Sequence, residues 1–277
     1  MKLISTLSII LFISQAYLHA SNIHALGKKV YDATGYLHKN TLNRYIFPPI
    51  AVLYEDMLLP NGTDHIDLTF LKKYALTLPA SKTPYILDIE AWDIRPNVID
   101  FIANRNIDKY ILVISTLKKA RPDLKFGYYG VLPTRDYITE NPSKRNLEKW
   151  HHANIRAKRL AKYVDVICPD LYTFFYNNKE YWEFYATYAI KDARMYGKPI
   201  FPFIWPEYHN ADKKLMGKYI DASFWKFQLD FLYKNTDSIV VWGGRNLNVT
   251  PHTSQKWDDK APWWQTTKKI LRKHRKK

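Results

Sequence analysis

Six short runs of apolar, β-branched and aromatic residues punctuate the chain: Pro49 to Tyr54, Tyr85 to Trp92, Leu124 to Gly130, Val164 to Tyr172, Pro199 to Trp205 and Ser238 to Gly243. Each run is nearly continuous rather than alternating, which is the pattern of strands buried on both faces of a parallel sheet. Longer amphipathic stretches lie between them, at Val98 to Lys119, Lys144 to Lys162, Lys179 to Tyr196 and Leu215 to Lys234, and a last one follows Trp263. These predict helices, and a repeated strand–helix unit predicts an α/β fold around a parallel sheet.

Six units fit an open doubly wound sheet, or a closed barrel with one or two strands unseen. No Gly-rich phosphate loop follows any of the runs, so the usual reason for an open nucleotide-binding sheet is missing. Polar and aromatic residues crowd the C-terminal ends of the runs, where barrel enzymes build their sites. The expected fold is therefore a (β/α) TIM-like barrel of seven or eight strands, distorted if strands are missing. It occupies a single domain over residues 21–265, within which no repeat or linker interrupts the pattern.

The ends of the chain differ from this body. Met1-Lys2, the apolar run Leu3 to Ile13 and the small residues around Ala20 have the layout of a secretory signal cleaved near Ala20, so export to a periplasm or the outside is expected. A retained anchor is the alternative, although the apolar run is short for a bilayer. Residues 266–277 read as a basic tail: the last ten residues hold seven Lys or Arg and no acid. Such a tail is either a solvated helix end or a contact for an anionic surface. The lone cysteine, Cys168, excludes an internal disulfide and reads as a small buried hydrophobe.

Charge adds a hint about partners. The formal net charge is +16, and more than half of it lies outside the last ten residues. A basic body suits a polyanionic partner. No nucleic-acid-binding motif is visible, so an acidic glycan or an anionic cell surface is the expectation, with simple solubility as the plainer account. Asn61-Gly62-Thr63 and Asn248-Val249-Thr250 are glycosylation sequons where the host modifies exported proteins.

The sharpest chemical feature is Tyr85-Ile86-Leu87-Asp88-Ile89-Glu90-Ala91-Trp92. Alternate residues of a strand face one way, so Asp88, Glu90 and Trp92 are expected to share a face at the strand's C-terminal end. Two neighbouring carboxylates resist double ionisation, and one of them then holds a proton near neutrality. Cleavage of a glycosidic bond needs such an acid to protonate the departing oxygen. The competing reading is a salt bridge to a basic neighbour such as Arg95.

Tyr129, Tyr172, Trp205, Tyr208 and Trp242 fall at or just beyond the run ends. Any one of these rings is most simply core, but several converging on one barrel mouth would form a groove that stacks on sugar rings. Asp170 and Glu207 also fall at run ends, as binders of sugar hydroxyls or as salt-bridging loop residues. His151-His152 sits on a helix among basic residues, and no His/Cys/Asp group has zinc spacing, so neither a metal nor a cofactor is expected.

These segments resemble the hyaluronidase family of glycoside hydrolases. The resemblance is carried by Ile86 to Trp92 with Arg95-Pro96, Phe126-Gly127-Tyr128-Tyr129-Gly130, Pro169-Asp170-Leu171-Tyr172, Pro199 to Pro202 with Tyr208 beyond, and Ile239 to Gly243. They occur in the family's order and cover roughly residues 50 to 250. The resemblance implies a distorted barrel and a substrate-assisted, retaining mechanism in which the sugar's own acetamido oxygen attacks its anomeric carbon. It makes Glu90 the acid and later the base. Asp88 would orient the acetamido group and keep Glu90 protonated, while Tyr208 and Trp242 would hold and line the acetamido pocket.

Three departures mark a distant relative: no disulfide, Cys168 where the family places a first active-site tyrosine, and a longer link between Trp92 and Arg95. The expected function is secreted hydrolysis of an N-acetylhexosamine polysaccharide, with hyaluronan or chondroitin first. A chitinase-like or peptidoglycan-type glycosidase and a non-catalytic glycan-binding barrel are the alternatives.

Overall fold

The computed structural model describes residues 28–136, 142–174, 177–246 and 253–275. The expected signal segment, the second sequon and the last two lysines lie outside the described residues.

Seven parallel strands form the core: β1 Val30–Thr34, β2 Val52–Tyr54, β3 Tyr85–Asp88, β4 Phe126–Tyr129, β5 Val166–Cys168, β6 Phe203–Ile204 and β7 Ile239–Gly243. Regular pairing joins β2-β3-β4-β5 and β1-β7-β6, with Val30 opposite Ile239 at the seam between first and last. Isolated parallel bridges close the two remaining gaps, Asp32 to Pro49 between β1 and β2, and Ile167 to Ile200 and Asp170 to Phe203 between β5 and β6. The sheet therefore closes on itself as an α/β barrel of the TIM type with seven strands, which leaves no free edge along its circumference.

Helices α1 Glu55–Leu58, α2 Leu68–Thr77, α3 Asp100–Ala120, α4 Lys144–Ala157, α5 Lys179–Arg194 and α6 Ala222–Asn235 follow successive strands, and α7 Pro262–Arg275 comes last. Short polar side chains start several of them. Asp67 caps α2, Ser143 caps α4, Asn178 caps α5 and Asp221 caps α6, each accepting a backbone N–H one turn in.

The structure changes three expectations. The strand predicted to Trp92 ends at Asp88, and Trp92 turns outward: its indole donates to the Thr63 carbonyl at 3.0 Å and packs edge-on against Tyr110 of α3. Trp92 thus does not share the face of Asp88 and Glu90. The helix predicted from Leu215 starts at Ala222, because Gly217 takes a left-handed conformation at φ 72° and Asp221 supplies the cap. Residues 266–275 are not a free tail but the body of α7, with Thr267, Ile270 and Leu271 buried and the Trp225 indole donating to Thr267 at 2.9 Å. Lys269, Arg272 and Lys273 are exposed on that helix.

One hydrophobic cluster runs from Val30 to Leu271, so packing ties the two ends of the barrel together without any cross-link. Gly127 shows how tight it is. A methyl group there would lie 2.6 Å from Cγ2 of Val166 and 2.8 Å from its carbonyl oxygen. Gly127→Ala is expected to destabilise the fold by about 1–3 kcal/mol, the cost of overpacking a close-packed core. Urea denaturation checks this, and an unchanged midpoint would show that β4 and β5 can move apart.

Candidate active site

The C-terminal ends of the strands carry the polar groups. Asp88 closes β3 opposite Tyr54, the last residue of β2. Two residues on, Glu90 lies beyond the strand, its backbone N–H and that of Ala91 donating to the Glu55 carboxylate at 3.1 and 3.0 Å. Tyr129 ends β4 in register with Cys168. Asp170 follows β5, buried, and its Oδ1 accepts the Tyr172 N–H at 3.2 Å.

Burial and mutual repulsion govern the carboxyls. Asp88 is pushed up to about 7, first by burial and then by the charge of Glu90. Burial pushes Asp170 to about 7 as well, against the pull of Arg135. One oxygen of each, Asp88 Oδ1 and Asp170 Oδ2, is sealed from solvent without a hydrogen-bond partner. Glu90 behaves differently. Its side chain is 53% exposed and receives both arms of the Arg135 guanidinium, Nη1 to Oε1 at 2.9 Å and Nη2 to Oε2 at 3.0 Å.

The expected division of labour is therefore inverted: the half-buried Asp88 is the carboxyl that favours a proton, and Glu90 stands as the partner of a cation. The competing reading, a salt bridge to a basic neighbour, therefore holds for Glu90, but with Arg135 and not with Arg95, which forks onto Asp93 at 2.6–3.0 Å.

Aromatic rings wall the same mouth. Tyr172 stacks on Trp242 at 5.8 Å and meets Trp205 edge-on at 5.6 Å and Tyr129 at 5.7 Å. The Trp242 indole donates to the Tyr54 hydroxyl at 3.1 Å, which links β7 to β2 beside Asp88. Gly243 makes room for this, since a side chain there would lie 2.9 Å from the Trp205 ring. Four of the five predicted rings, Tyr129, Tyr172, Trp205 and Trp242, thus come together.

Tyr208 does not join them. The carboxylates that bear on its hydroxyl are Asp221, the N-cap of α6, and Asp212 in the preceding loop, and His209 enters the ring cluster in its place, 5.9 Å from Trp205 and 4.9 Å from Phe174. Burial, aided by the Arg135 charge, lowers His209 to about 4, so it is neutral at pH 7.

Glu207 neither faces the mouth nor salt-bridges. It lies buried behind the wall, where it accepts the Tyr36 hydroxyl at 3.2 Å, and burial raises it to about 7. Cys168 is buried and unbonded to another cysteine. Across Tyr54 the mouth adjoins a hollow of about 360 Å³ lined by Lys39, Arg44, Arg245, Asp32 and Trp257. Arg245 lies over the Tyr54 ring at 4.5 Å. Among the described residues no cluster of His, Cys, Asp and Glu could hold a metal ion.

Tyr54, His209 and Arg135 were missed in the sequence. A ring at the end of the second run was there to be found for Tyr54, whereas nothing local pairs Arg135 with Glu90.

These shifts fix a pH dependence. Asp88, Asp170 and Glu207 each bind a proton more tightly folded than unfolded. Their contribution to stability is fully present below about pH 4 and is lost as pH rises through about 7. His209 is depressed, so its contribution is present above its ordinary 6.5 and is lost as pH falls through about 4. Three groups against one predict that unfolding free energy rises from pH 8 to pH 5, with a slope that reaches about two protons below pH 7. Denaturation across that range tests it, and a protein more stable at pH 8 than at pH 5 would refute it.

No protein-family model matches the chain, and no curated protein sequence matches it. Solved structures do. Bee venom hyaluronidase in complex with a hyaluronic acid tetramer is 12% identical with a TM-score of 0.57, over 90% of this chain and 96% of that one. A monoclinic crystal of bee venom hyaluronidase gives the same identity and score over 90% and 98%. A glycoside hydrolase family 5 enzyme from Prevotella bryantii is 9% identical with a TM-score of 0.43, over 92% and 97%. At 12% identity the likeness to the bee venom enzyme is one of architecture, an α/β barrel.

Proposed function

We propose that this barrel is a glycoside hydrolase acting on an N-acetylhexosamine-containing polysaccharide, with Glu90 as acid and base and Asp88 as its partner. The observation that carries the reading is the pairing of a solvent-open carboxylate, Glu90, with a proton-holding one, Asp88, inside a mouth walled by Tyr54, Tyr129, Tyr172, Trp205 and Trp242. Flat rings beside a protonatable carboxyl pair match what a sugar ring and its glycosidic oxygen require.

Near neutrality Asp88 can hold a proton. In the proposed sequence Asp88 passes it to Glu90, and Glu90 delivers it to the departing glycosidic oxygen as the C1–O bond breaks. The acetamido oxygen of the same sugar forms a bond to C1, giving a cyclic oxazolinium. Asp88, now ionised, accepts the acetamido N–H and balances the positive charge. Glu90 then takes a proton from the water that attacks C1 as the C1–O bond of the oxazolinium breaks to restore the acetamide, so the pair regains its proton and the configuration at C1 is retained.

The hollow beside Tyr54, with Lys39, Arg44 and Arg245 against one Asp32, favours a copolymer carrying acidic groups, such as hyaluronan or chondroitin, over a neutral one. Export on the N-terminal apolar run belongs to the same proposal.

A second reading has one observation in its favour. Glu90 is fully engaged by Arg135, which suits a glycan-binding barrel without turnover. A reducing-end assay of the protein over hyaluronan, chondroitin and chitin oligomers separates the two. Glu90→Gln is expected to lower turnover by about a hundred- to ten-thousand-fold, the usual share of general acid–base catalysis, with folding and binding kept. Undiminished release of reducing ends by that variant removes the assignment, and binding without any release favours the second reading.

A further inference from the structure

Arg135 sits on the loop after β4, and its place is fixed by contacts its own side chain does not make. Its backbone N–H donates to the Gly130 carbonyl at 3.1 Å. The preceding Thr134 donates its N–H to Asn154 Oδ1 at 2.9 Å and accepts the Trp150 indole at 2.7 Å. Gly130, left-handed at φ 65°, packs between the two groups that matter: a Cβ there would lie 3.8 Å from Arg135 Cδ and 3.7 Å from Asp170 Cβ.

The guanidinium is a cation among acids. It forks onto Glu90, and its charge bears on Asp88, Asp170, Tyr129, Tyr110 and His209. Of the other charged groups near Glu90, Glu55 binds the backbone below it and Arg95 is forked onto Asp93. A bidentate fork fixes both the position and the plane of a carboxylate, which a single ammonium cannot do. It also engages both carboxylate oxygens of Glu90 at once.

Resting on the glycosidase reading above, we infer that Arg135 is the positioning residue of this site: its fork aims Glu90, and its charge decides which of Asp88, Glu90 and Asp170 carries the shared proton. The fork pairs Glu90 with a cation and leaves the proton with Asp88 and Asp170. Loosening of the fork when a sugar enters moves the proton to Glu90, so the acid is armed only when a bond is there to cut. A small pocket of about 60 Å³ flanks the pair, lined by Glu90, Arg135, Arg95 and Thr134 among others, and gives the side chain space into which to withdraw.

The two halves of the role separate in two substitutions, Arg135→Gln, which removes the charge and the fork, and Arg135→Lys, which keeps the charge alone. The full-length protein is assayed for kcat, KM and pH profile on the glycan it cleaves, and the side-chain carboxyls are followed by carbon NMR through a pH titration. For Arg135→Gln, kcat is expected to fall about 10²-fold, the scale of a misplaced catalytic group, with KM within a few-fold of the parent. The titration midpoints of Asp88 and Asp170, and with them the alkaline limb of the profile, should rise by about one pH unit, because a nearby cation that held them down is gone.

Arg135→Lys should bring the midpoints back while kcat stays low. A merely structural Arg135 would move neither midpoint in a folded variant, and that result overturns the proposal. So does a lysine variant with parental kcat, since aim would then need no fork. If the parent protein cleaves no glycan, the glycosidase reading fails on its own, and unmoved Asp88 and Asp170 midpoints in Arg135→Gln would independently refute the electrostatic role.

Discussion

A carboxyl group taken out of water must be neutral, or matched by a cation, or tolerated at a cost that no single hydrogen bond returns. The mouth of this barrel uses the first two solutions side by side. Asp88 and Asp170 are enclosed far enough that the neutral form competes at pH 7, while Glu90, closer to solvent, has a guanidinium of its own. The walls follow from that choice. A wet, open mouth would let all three acids ionise independently; the packed rings of Tyr129, Tyr172, Trp205 and Trp242 are what keep them coupled.

Lower in the barrel the same constraint is met differently. Asp32 on β1 is paired with a cation: Lys39 reaches both carboxylate oxygens at 3.0 and 2.8 Å and also contacts Thr34. Behind the wall, Glu207 has only neutral donors and responds by holding its proton. One physical rule therefore sorts the acids of this fold by what stands beside them, and position in the sequence does not decide it.

The strands were legible because a parallel strand buried on both faces is written as an apolar run, and six of the seven are. β1 escaped notice because Asp32 and Thr34 interrupt its five residues, and α2 because it buries only Leu71 and Ala75. Asp88 and Glu90 were legible from a two-residue spacing at a run's end. The partner of Glu90 was not, since Arg135 comes into reach only when β3 and β4 pair and the loop after β4 turns back. Tyr208 was misassigned because the segment after β6 bends, with Glu207 bridging Tyr219, which turns the tyrosine toward α6 and leaves His209 at the rings.

Closure of the sheet through Val30 and Ile239 also orders the events of folding. The first strand waits for the seventh, and nearly the whole chain must leave the ribosome before either has a neighbour on that side. Contacts so distant along the chain close slowly, and until they do the apolar flanks of β1 and β6 lie open to chaperones and to other chains. Helix α7, whose Trp263 and Trp264 are fully buried, packs on α6, so residues beyond β7 help to hold the closed barrel together.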